Sequence, residues 1–281
     1  MKNCLTLLCI VFIAFSAFVC FFPQLVAGPI ERATNLLPQF VTKRNFSYTQ
    51  AVDGMRQILW GTFKKVVIAD NISPFVDEGF SMNTNLLTAI DVWTLAFLFG
   101  FQIYFDFSAY SHIAIGSAQL MGINIPENFN YPYIASSFKD FWKRWHISLS
   151  SWIRDYLYLP LAGIKVSKTT GEGGIGEGLE STQKVNKTRA LFVTWAIMGF
   201  WHGANWTFVL WGLMHATFIF FERRLQLVKG KSSLFNNPIL GWGLTLFLVM
   251  LSWIPFRADS LSTTFSMFQK LLQPISYTSL G

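Results

Sequence analysis

Charged side chains are scarce in this 281-residue chain, and their scarcity excludes an ordinary water-soluble fold. Asp, Glu, Lys and Arg make up 13% of the residues, against roughly 25% in soluble globular domains. Hydrophobic residues account for 52% and aromatic residues for 17%. We therefore expect a membrane protein.

Cysteine and histidine are also few, which excludes two further classes of protein. The three cysteines, Cys4, Cys9 and Cys20, all fall in the first apolar block. This placement is typical of packed or lipid-facing thiols and not of a disulfide framework or a cysteine zinc site. No pair of the four histidines has the spacing of a metal motif such as H-E-x-x-H, so we expect no metal site.

The hydrophobic residues gather in long blocks, which predicts several membrane spans in a multi-pass, all-α chain. The blocks cover residues 5–22, 86–105, 190–221 and 239–256. Lys2 before the first block resembles the start of a secretory signal, but the block is as long as a minimal span and no clear cleavage site follows it. We expect an uncleaved helix there, and a single membrane domain over residues 1–281.

The basic residues are unevenly distributed, and their distribution predicts the orientation of the chain. They outnumber the acidic residues between positions 31 and 65, whereas only acidic charges occur between positions 70 and 91. Because Lys and Arg near spans favour the cytoplasmic side, we place residues 31–65 and the basic loops around 139–189 and 223–231 there. The net charge of +7 then needs no nucleic-acid partner, and we expect membrane lipids instead.

The stretch "GFWHGANW" lies inside the longest uncharged run, residues 190–221. As one helix its 32 residues would measure about 48 Å, while two spans would need about 40 residues. Basic residues at both ends predict an element that bends near Gly203, Ala204 and Asn205 and returns to the side it left. Irregular backbone at membrane depth requires a polar cavity, and that cavity is our candidate active site.

His202 lies at this predicted bend and is the first candidate catalytic residue. An imidazole inside a membrane segment favours a functional interpretation, as a general base that takes a proton from a hydroxyl, and the alternative is a neutral imidazole that holds helices together. Gly203 beside it leaves room for a substrate. Trp201 and Trp206 fit a substrate-lining wall or an interface anchor better than a catalytic role.

A second element, "FKDFWKRWHISLSSWIRDYLYLPL", begins at Phe138. Its periodicity predicts one helix along the cytoplasmic interface, with Trp145 on the aromatic face and Lys and Arg on the other. His146 projects between the two faces and becomes a catalytic candidate only beside a cavity. Elsewhere, Asp106 in "YFDFSAY" is interpreted as structural support through Ser108 or Tyr110, and His215 as a packed histidine.

Five motifs in order along the chain are similar to those of the membrane-bound O-acyltransferase family. They are "FFPQLVAGPIER", "YFDFSAYSHIAIG", "NFNYPYIASSFKDFWKRWHISLSSWIRDYLYLPL", "MGFWHGANWTFVLWGLMHA" and "WIPFRADSLS". The likeness is strongest to the branch that O-acetylates exported alginate. It implies a helical disc with broken or re-entrant helices, His202 as the catalytic histidine and His146 as the second catalytic position.

The resemblance also implies the reaction and the surroundings of the protein. An acetyl or other acyl group would pass from a cytoplasmic thioester, acetyl-coenzyme A or an acyl carrier, to a hydroxyl of an exported polysaccharide, with no permanently bound cofactor. Extracytoplasmic acetyl-handling or polysaccharide-modifying proteins would be partners, and a bacterial inner membrane the location. We assign Asn205, Trp201, Gly203, Trp206 and Trp145 to substrate binding, with Asn205 or His146 as a weak candidate for donating to the oxyanion.

Two features of the chain depart from the family pattern, and two alternative functions remain open. Residues 163–189 contain a Gly-rich polar stretch that predicts a flexible cytoplasmic insert. The chain is shorter than the family pattern, so we expect a truncation at both ends. A non-catalytic scaffold or a transporter subunit built on the same helices are the alternative functions.

Overall fold

The computed structural model describes residues 2–25, 28–165, 180–181, 186–229 and 237–274, and these are almost entirely helical. Two-residue strands, β1 (Ile164–Lys165) and β2 (Glu180–Ser181), form an antiparallel pair. The all-α prediction is confirmed. The helices are α1 (Lys2–Val19), α2 (Phe22–Leu25), α3 (Ala33–Val41), α4 (Tyr48–Phe63), α5 (Asp70–Ser81), α6 (Ala89–Leu120), α7 (Phe138–Arg144), α8 (Ile147–Ile153), α9 (Leu159–Leu161), α10 (Lys187–His202), α11 (Trp206–Lys229), α12 (Pro238–Arg257) and α13 (Leu261–Leu272).

Short segments of tighter or wider helix connect several of these elements. The π-helical turn Lys64–Ala69 joins α4 to α5, and the π-helical turn Arg154–Tyr158 joins α8 to α9. Single 3₁₀ turns cover Thr84–Leu86 and Pro132–Ile134. Within the expected insert at 163–189, residues 166–179 and 182–185 lie outside the described residues, and its flexibility stays a prediction.

Two of the described helices, α6 and α12, are long and apolar enough to cross a membrane. With 32 residues, α6 measures about 48 Å and exceeds a hydrocarbon core of about 30 Å. It also continues past residue 105, where the predicted block ends. With 20 residues, α12 matches the core thickness at about 30 Å.

The chain groups into two compact units. The first comprises Met1–Pro74, Phe101–Asn130 and His146–Leu149, and the second comprises Phe75–Gly100, Tyr131–Trp145 and Ser150–Gly281. The expectation of one membrane domain over residues 1–281 stays a prediction.

In the first unit, α1 packs against α3 and α4 packs against the second half of α6. Glycines permit the second contact. A Cβ at Gly54 would lie 2.8 Å from the Gly116 carbonyl oxygen, and one at Gly61 would lie 2.6 Å from that of Ala109. Residue numbers rise along α4 where they fall along α6, so the two helices are antiparallel. Small residues lie at their interface, as in membrane helix pairs.

In the second unit, α10 and α11 form a helical hairpin, and α11 packs against α12. Large aromatic side chains fill this core. Trp211 and Trp253 are each 1% exposed and their rings stack with centroids 6.2 Å apart, and Phe141 is also buried.

The segment from Phe138 onward is not the single amphipathic helix that its periodicity predicts. The helix α7 ends at Arg144, Trp145 is extended, and His146 has a φ of 43°. The physical reason lies in Asn128, whose backbone carbonyl accepts the Ile147 N–H at 2.9 Å. This long-range bond replaces a bond within the helix, so the helical path is interrupted.

Candidate active site

The bend predicted in "GFWHGANW" is confirmed, and it separates α10 from α11. The helix α10 ends at His202, Gly203 is extended with a φ of 175°, and α11 begins at Trp206. The two helices return alongside each other because glycines remove side chains from their contact. A Cβ at Gly199 would lie 3.0 Å from the Phe208 carbonyl carbon.

His202 occupies the last position of α10, where its ring is half-buried. Its Nδ1 lies 2.7 Å from the Met198 carbonyl oxygen. A carbonyl only accepts, so Nδ1 carries the proton and donates it to this bond. The neutral ring therefore presents an unprotonated Nε2, and no hydrogen bond from another described residue reaches that atom.

Aromatic rings hold the His202 imidazole from several directions. Ring centroids of Trp201 and Trp211 lie 5.0 Å away, and that of Phe256 lies 5.5 Å away, all in edge-to-face arrangements. Trp211 is buried, whereas Trp201 is 61% exposed. The buried Trp211 and the half-buried Phe256 fix the orientation of the imidazole and shield one side of it from water.

The remaining predicted substrate-binding residues of the second unit have different surroundings. Asn205 donates from Nδ2 to the Asp259 carbonyl at 2.9 Å, which connects the start of α11 to the residues after α12. Its Oδ1 accepts from the Thr207 N–H at 3.2 Å and so caps the first turn of α11. Trp206 is exposed, and Trp145 is buried with its ring 5.0 Å from Trp253. Their roles in binding stay predictions.

His146, in the first unit, is buried rather than placed at the border of a helix face as its position predicts. Its Nδ1 lies 3.0 Å from Asn128 Oδ1, which also accepts from the backbone N–H and the hydroxyl of Ser148 at 3.2 and 2.9 Å. An amide oxygen only accepts, so His146 Nδ1 is protonated, the same tautomer as in His202. Phe107 packs edge-on against the ring at 4.6 Å.

His215 is the packed histidine that its position predicts, and its hydrogen bonds show why. Trp142 Nε1 donates to Nδ1 at 3.3 Å, and Nε2 lies 3.0 Å from the Ser252 hydroxyl, which donates to the Val249 carbonyl at 2.7 Å. An indole N–H only donates, so His215 carries its proton on Nε2, the opposite tautomer. Both ring nitrogens are occupied and the residue is fully buried, which leaves it no part in proton transfer.

Asp106 has a partner that the sequence did not predict, and its role as structural support stays a prediction. Instead of Ser108 or Tyr110, its Oδ1 contacts Lys65 Nζ at 2.7 Å, and the same ammonium contacts Asp70 at 2.8 Å. The long lysine reaches across the contact between the first π-helical turn and α6, which the local sequence around Asp106 cannot reveal. Asp106 lies in the middle of α6, not at its end.

Sequence reasoning missed two buried polar residues, Asn128 and Lys64. Asn128 follows Glu127 and precedes Phe129 in a loop, where asparagine ordinarily indicates a turn. Lys64 next to Lys65 was counted as part of a cytoplasmic basic segment. A signal existed for Lys64: it lies three residues after Gly61 and ten after Gly54, on the close-packed face of the helix.

No group of three or more His, Cys, Asp or Glu side chains within the described ranges is arranged to hold a metal ion. In each unit the candidate proton acceptor is an imidazole oriented by its Nδ1 bond, His146 in the first and His202 in the second. An imidazole oriented in this way beside a break in a helix is suited to accept a proton at Nε2 from a hydroxyl.

Comparisons with known proteins give consistent matches along the chain. The membrane-bound O-acyltransferase family profile matches residues 10–173. A peptidoglycan O-acetyltransferase of Helicobacter pylori is 38% identical over 263 residues, which are 93% of this chain and 47% of that protein. A "Probable alginate O-acetylase" of Pseudomonas aeruginosa is 39% identical over 259 residues, 92% of this chain and 46% of that protein.

A more distant match is the teichoic acid D-alanyltransferase of Bacillus subtilis, 32% identical over 219 residues, with 73% of this chain and 51% of that protein covered. The chain thus spans about half the length of the curated relatives it matches. The names of these relatives share one type of reaction, the transfer of an acetyl or D-alanyl group to peptidoglycan, alginate or teichoic acid.

Proposed function

Because the chain belongs to the membrane-bound O-acyltransferase family, we propose that it carries the catalytic part of an O-acyltransferase. The proposed reaction moves an acetyl or related acyl group from a cytoplasmic thioester to a hydroxyl of an exported polysaccharide such as alginate. The observation that carries this proposal is His202 at the break between α10 and α11, with Nδ1 donating to Met198 and Nε2 unprotonated.

In the proposed mechanism, His202 Nε2 takes the proton of the acceptor hydroxyl as its oxygen attacks the thioester carbonyl. The tetrahedral intermediate then collapses, the carbon–sulfur bond breaks, and the leaving thiolate receives the proton from the imidazolium. Ester and thiol are the products, and His202 returns to its neutral form. General base catalysis of this kind contributes about 10²- to 10⁴-fold in rate.

The surroundings of His202 support this role in two ways. The Met198 carbonyl stabilises the imidazolium that forms during the reaction, because its oxygen faces the protonated Nδ1. The buried ring of Trp211 and the half-buried ring of Phe256 hold the imidazole in one orientation, which reduces the entropy lost when the reactants meet.

The donor, the location and the partners follow from the family and are part of the proposal. The donor is acetyl-coenzyme A or an acyl-carrier thioester, used as a substrate and not held as a cofactor. The protein is a multi-pass protein of a bacterial inner membrane, with α6 and α12 as two of its spans. Extracytoplasmic acetyl-handling or polysaccharide-modifying proteins receive or place the acyl group, and membrane lipids surround the helices.

Replacing His202 with alanine in the intact protein tests the proposal against the scaffold and transporter alternatives. We expect the variant to insert in the membrane at the normal level and to lose acyl ester on the exported polysaccharide. Normal ester from His202→Ala would favour a non-catalytic scaffold. Ion-dependent flux through vesicles that is lost in the variant would favour a transporter.

A further inference from the structure

Lys64 is a buried cation for which neither the fold nor the proposed mechanism has a use. The exposed fraction of Lys64 is 6%. By contrast, the neighbouring Lys65 is 46% exposed at its side chain and pairs with two carboxylates. A buried lysine without such a pair is costly to maintain, and it marks a functional position when it lies at membrane depth.

The position of Lys64 along its helix places it far from either end. The helix α4, the π-helical turn and α5 follow one another without interruption from Tyr48 to Ser81. Lys64 is near the middle of this helical run and contacts Ser108 in the middle of α6. Because α6 is long enough to cross a membrane, this contact places the Lys64 ammonium at the depth of the membrane core and not in the cytoplasm, where the charge distribution placed residues 31–65. A π-helical turn at this point is itself frequent at functional sites.

The ammonium has fewer acceptors than it has hydrogens to donate. Its polar contact among the described residues is the Ser108 hydroxyl at a long 3.4 Å, and it makes no ion pair within 4.0 Å with a described carboxylate. An ammonium carries three N–H donors. The faces of Trp60 and Tyr104, with centroids 5.6 and 6.0 Å from Nζ, favour the positive charge without supplying a lone pair.

One carboxylate acts on Lys64 from a distance. Glu127 attracts the ammonium through space without forming a direct pair, and it is exposed while Lys64 is buried. On the inner side, rings connect the site to a predicted catalytic residue of the same unit: Tyr104 contacts Phe129 at 5.9 Å, and Phe129 stacks on His146 at 6.4 Å.

We propose that Lys64 binds an anionic oxygen group of a substrate, with Ser108 as a second donor and Trp60 and Tyr104 as the aromatic surface beside it. This inference rests on the proposed acyltransferase function and names a substrate-binding residue for it. Two sources of the anion share this chemistry: the phosphates of the thioester donor and the carboxylate of an acidic sugar acceptor. Lys64 is a binding residue here, and His202 remains the general base.

The test measures binding by the intact, purified protein, so that it does not depend on catalysis. The probes are coenzyme A, for the phosphate source, and a short uronic acid oligosaccharide with its uncharged methyl ester, for the carboxylate source. Losing one charge-assisted hydrogen bond worth about 1.5–3 kcal/mol weakens binding by about 10- to 100-fold. We expect Lys64→Met to show such a loss for one of the two anionic probes and no loss for the methyl ester.

Glu127→Gln is the discriminating second variant, because the two interpretations of Lys64 predict opposite results. If Lys64 binds an anion, removing the nearby negative charge tightens binding of the same probe, and Lys64→Met keeps the wild-type unfolding temperature or raises it. If Lys64 and Glu127 only stabilise the fold, both variants lower the unfolding temperature. Probe binding, measured per amount of folded protein, is then unchanged in both.

The identity of the affected probe assigns the source of the anion. Loss with coenzyme A alone places the donor at Lys64, and loss with the oligosaccharide alone places the acceptor there. Unchanged binding of both probes in Lys64→Met, or no binding by the wild type, overturns the proposal. His202→Ala separates this outcome from failure of the proposed function, because it should abolish transfer while leaving probe binding intact.

Discussion

At the residue scale, the histidines of the candidate site and of the core differ in which ring nitrogen carries the proton. His202 and His146 donate from Nδ1 to an oxygen that can only accept. His215 instead accepts at Nδ1 from Trp142 and donates from Nε2 to Ser252. Sequence position identified all three residues, but the tautomer of each depends on a partner 4 to 73 positions away in the chain, which no local pattern reveals.

Removing the hydroxyl of Ser252 tests the structural role of His215. In Ser252→Ala, the buried His215 Nε2–H loses its acceptor, and an unsatisfied buried donor costs about 1–3 kcal/mol. We expect the unfolding temperature of the detergent-purified protein to fall by several degrees, with acyl transfer by the folded fraction unchanged. Ser262→Ala is the matched control, because Ser262 is exposed in α13; an equal fall in both variants would contradict the assignment.

At the scale of elements, the sequence predicted the break in one segment and missed it in another. The bend at Gly203 followed from simple lengths, since residues 190–221 fit neither one span nor two. The break at Trp145 and His146 was missed because the aromatic and basic periodicity continues through it. Its cause is the distant Asn128, whose hydrogen bonds to His146, Ile147 and Ser148 outweigh the preference for an uninterrupted helix.

Asn128→Ala should therefore loosen the start of α8 and the ring of His146 together. Three donors lose the Asn128 Oδ1 acceptor: His146 Nδ1, the Ser148 N–H and the Ser148 hydroxyl. We expect a loss of more than about 2 kcal/mol in the free energy of unfolding, because several buried groups are left unsatisfied at once. Thermal unfolding and proteolysis of the 144–149 region report the change.

Asn124→Ala provides the comparison for this variant. Asn124 lies in the same loop, is exposed, and uses its side chain for one exposed bond with Gln50 at 3.2 Å. Its expected effect is below about 0.5 kcal/mol. If Asn124→Ala proved as destabilising as Asn128→Ala, the organising role of Asn128 would be lost.

At the scale of the whole molecule, composition and charge predicted a helical membrane protein, and the resemblance of its motifs predicted the family. The low content of charged residues and the long apolar blocks were enough for the all-α class, and the ordered motifs were enough for the family. Side-chain pairs between distant segments, such as Lys65 with Asp106, could not be predicted, because a lysine reaches any of several carboxylates and only the packed helices decide which.

The basic segments predict which side of the membrane each end of α6 faces. In a variant whose three native cysteines are replaced by serine, a cysteine at Asn85 should react with an impermeant maleimide added from outside the inner membrane. One at Asn124 should react only after permeabilisation, because Arg32, Lys43, Arg44 and the loops beyond α6 carry the cytoplasmic basic charges. Labelling of both positions from one side would contradict α6 as a span.

The central claim is that Nε2 of His202 accepts the proton of the acceptor hydroxyl. The most direct measurement is the single-turnover rate of acyl transfer by the purified intact protein with His202 replaced by Gln, compared with the wild type at equal folded concentration. The account predicts a rate lower by about 10²- to 10⁴-fold, with the unfolding temperature and donor binding unchanged. A rate within a few-fold of the wild type, in a variant that folds normally, would contradict it.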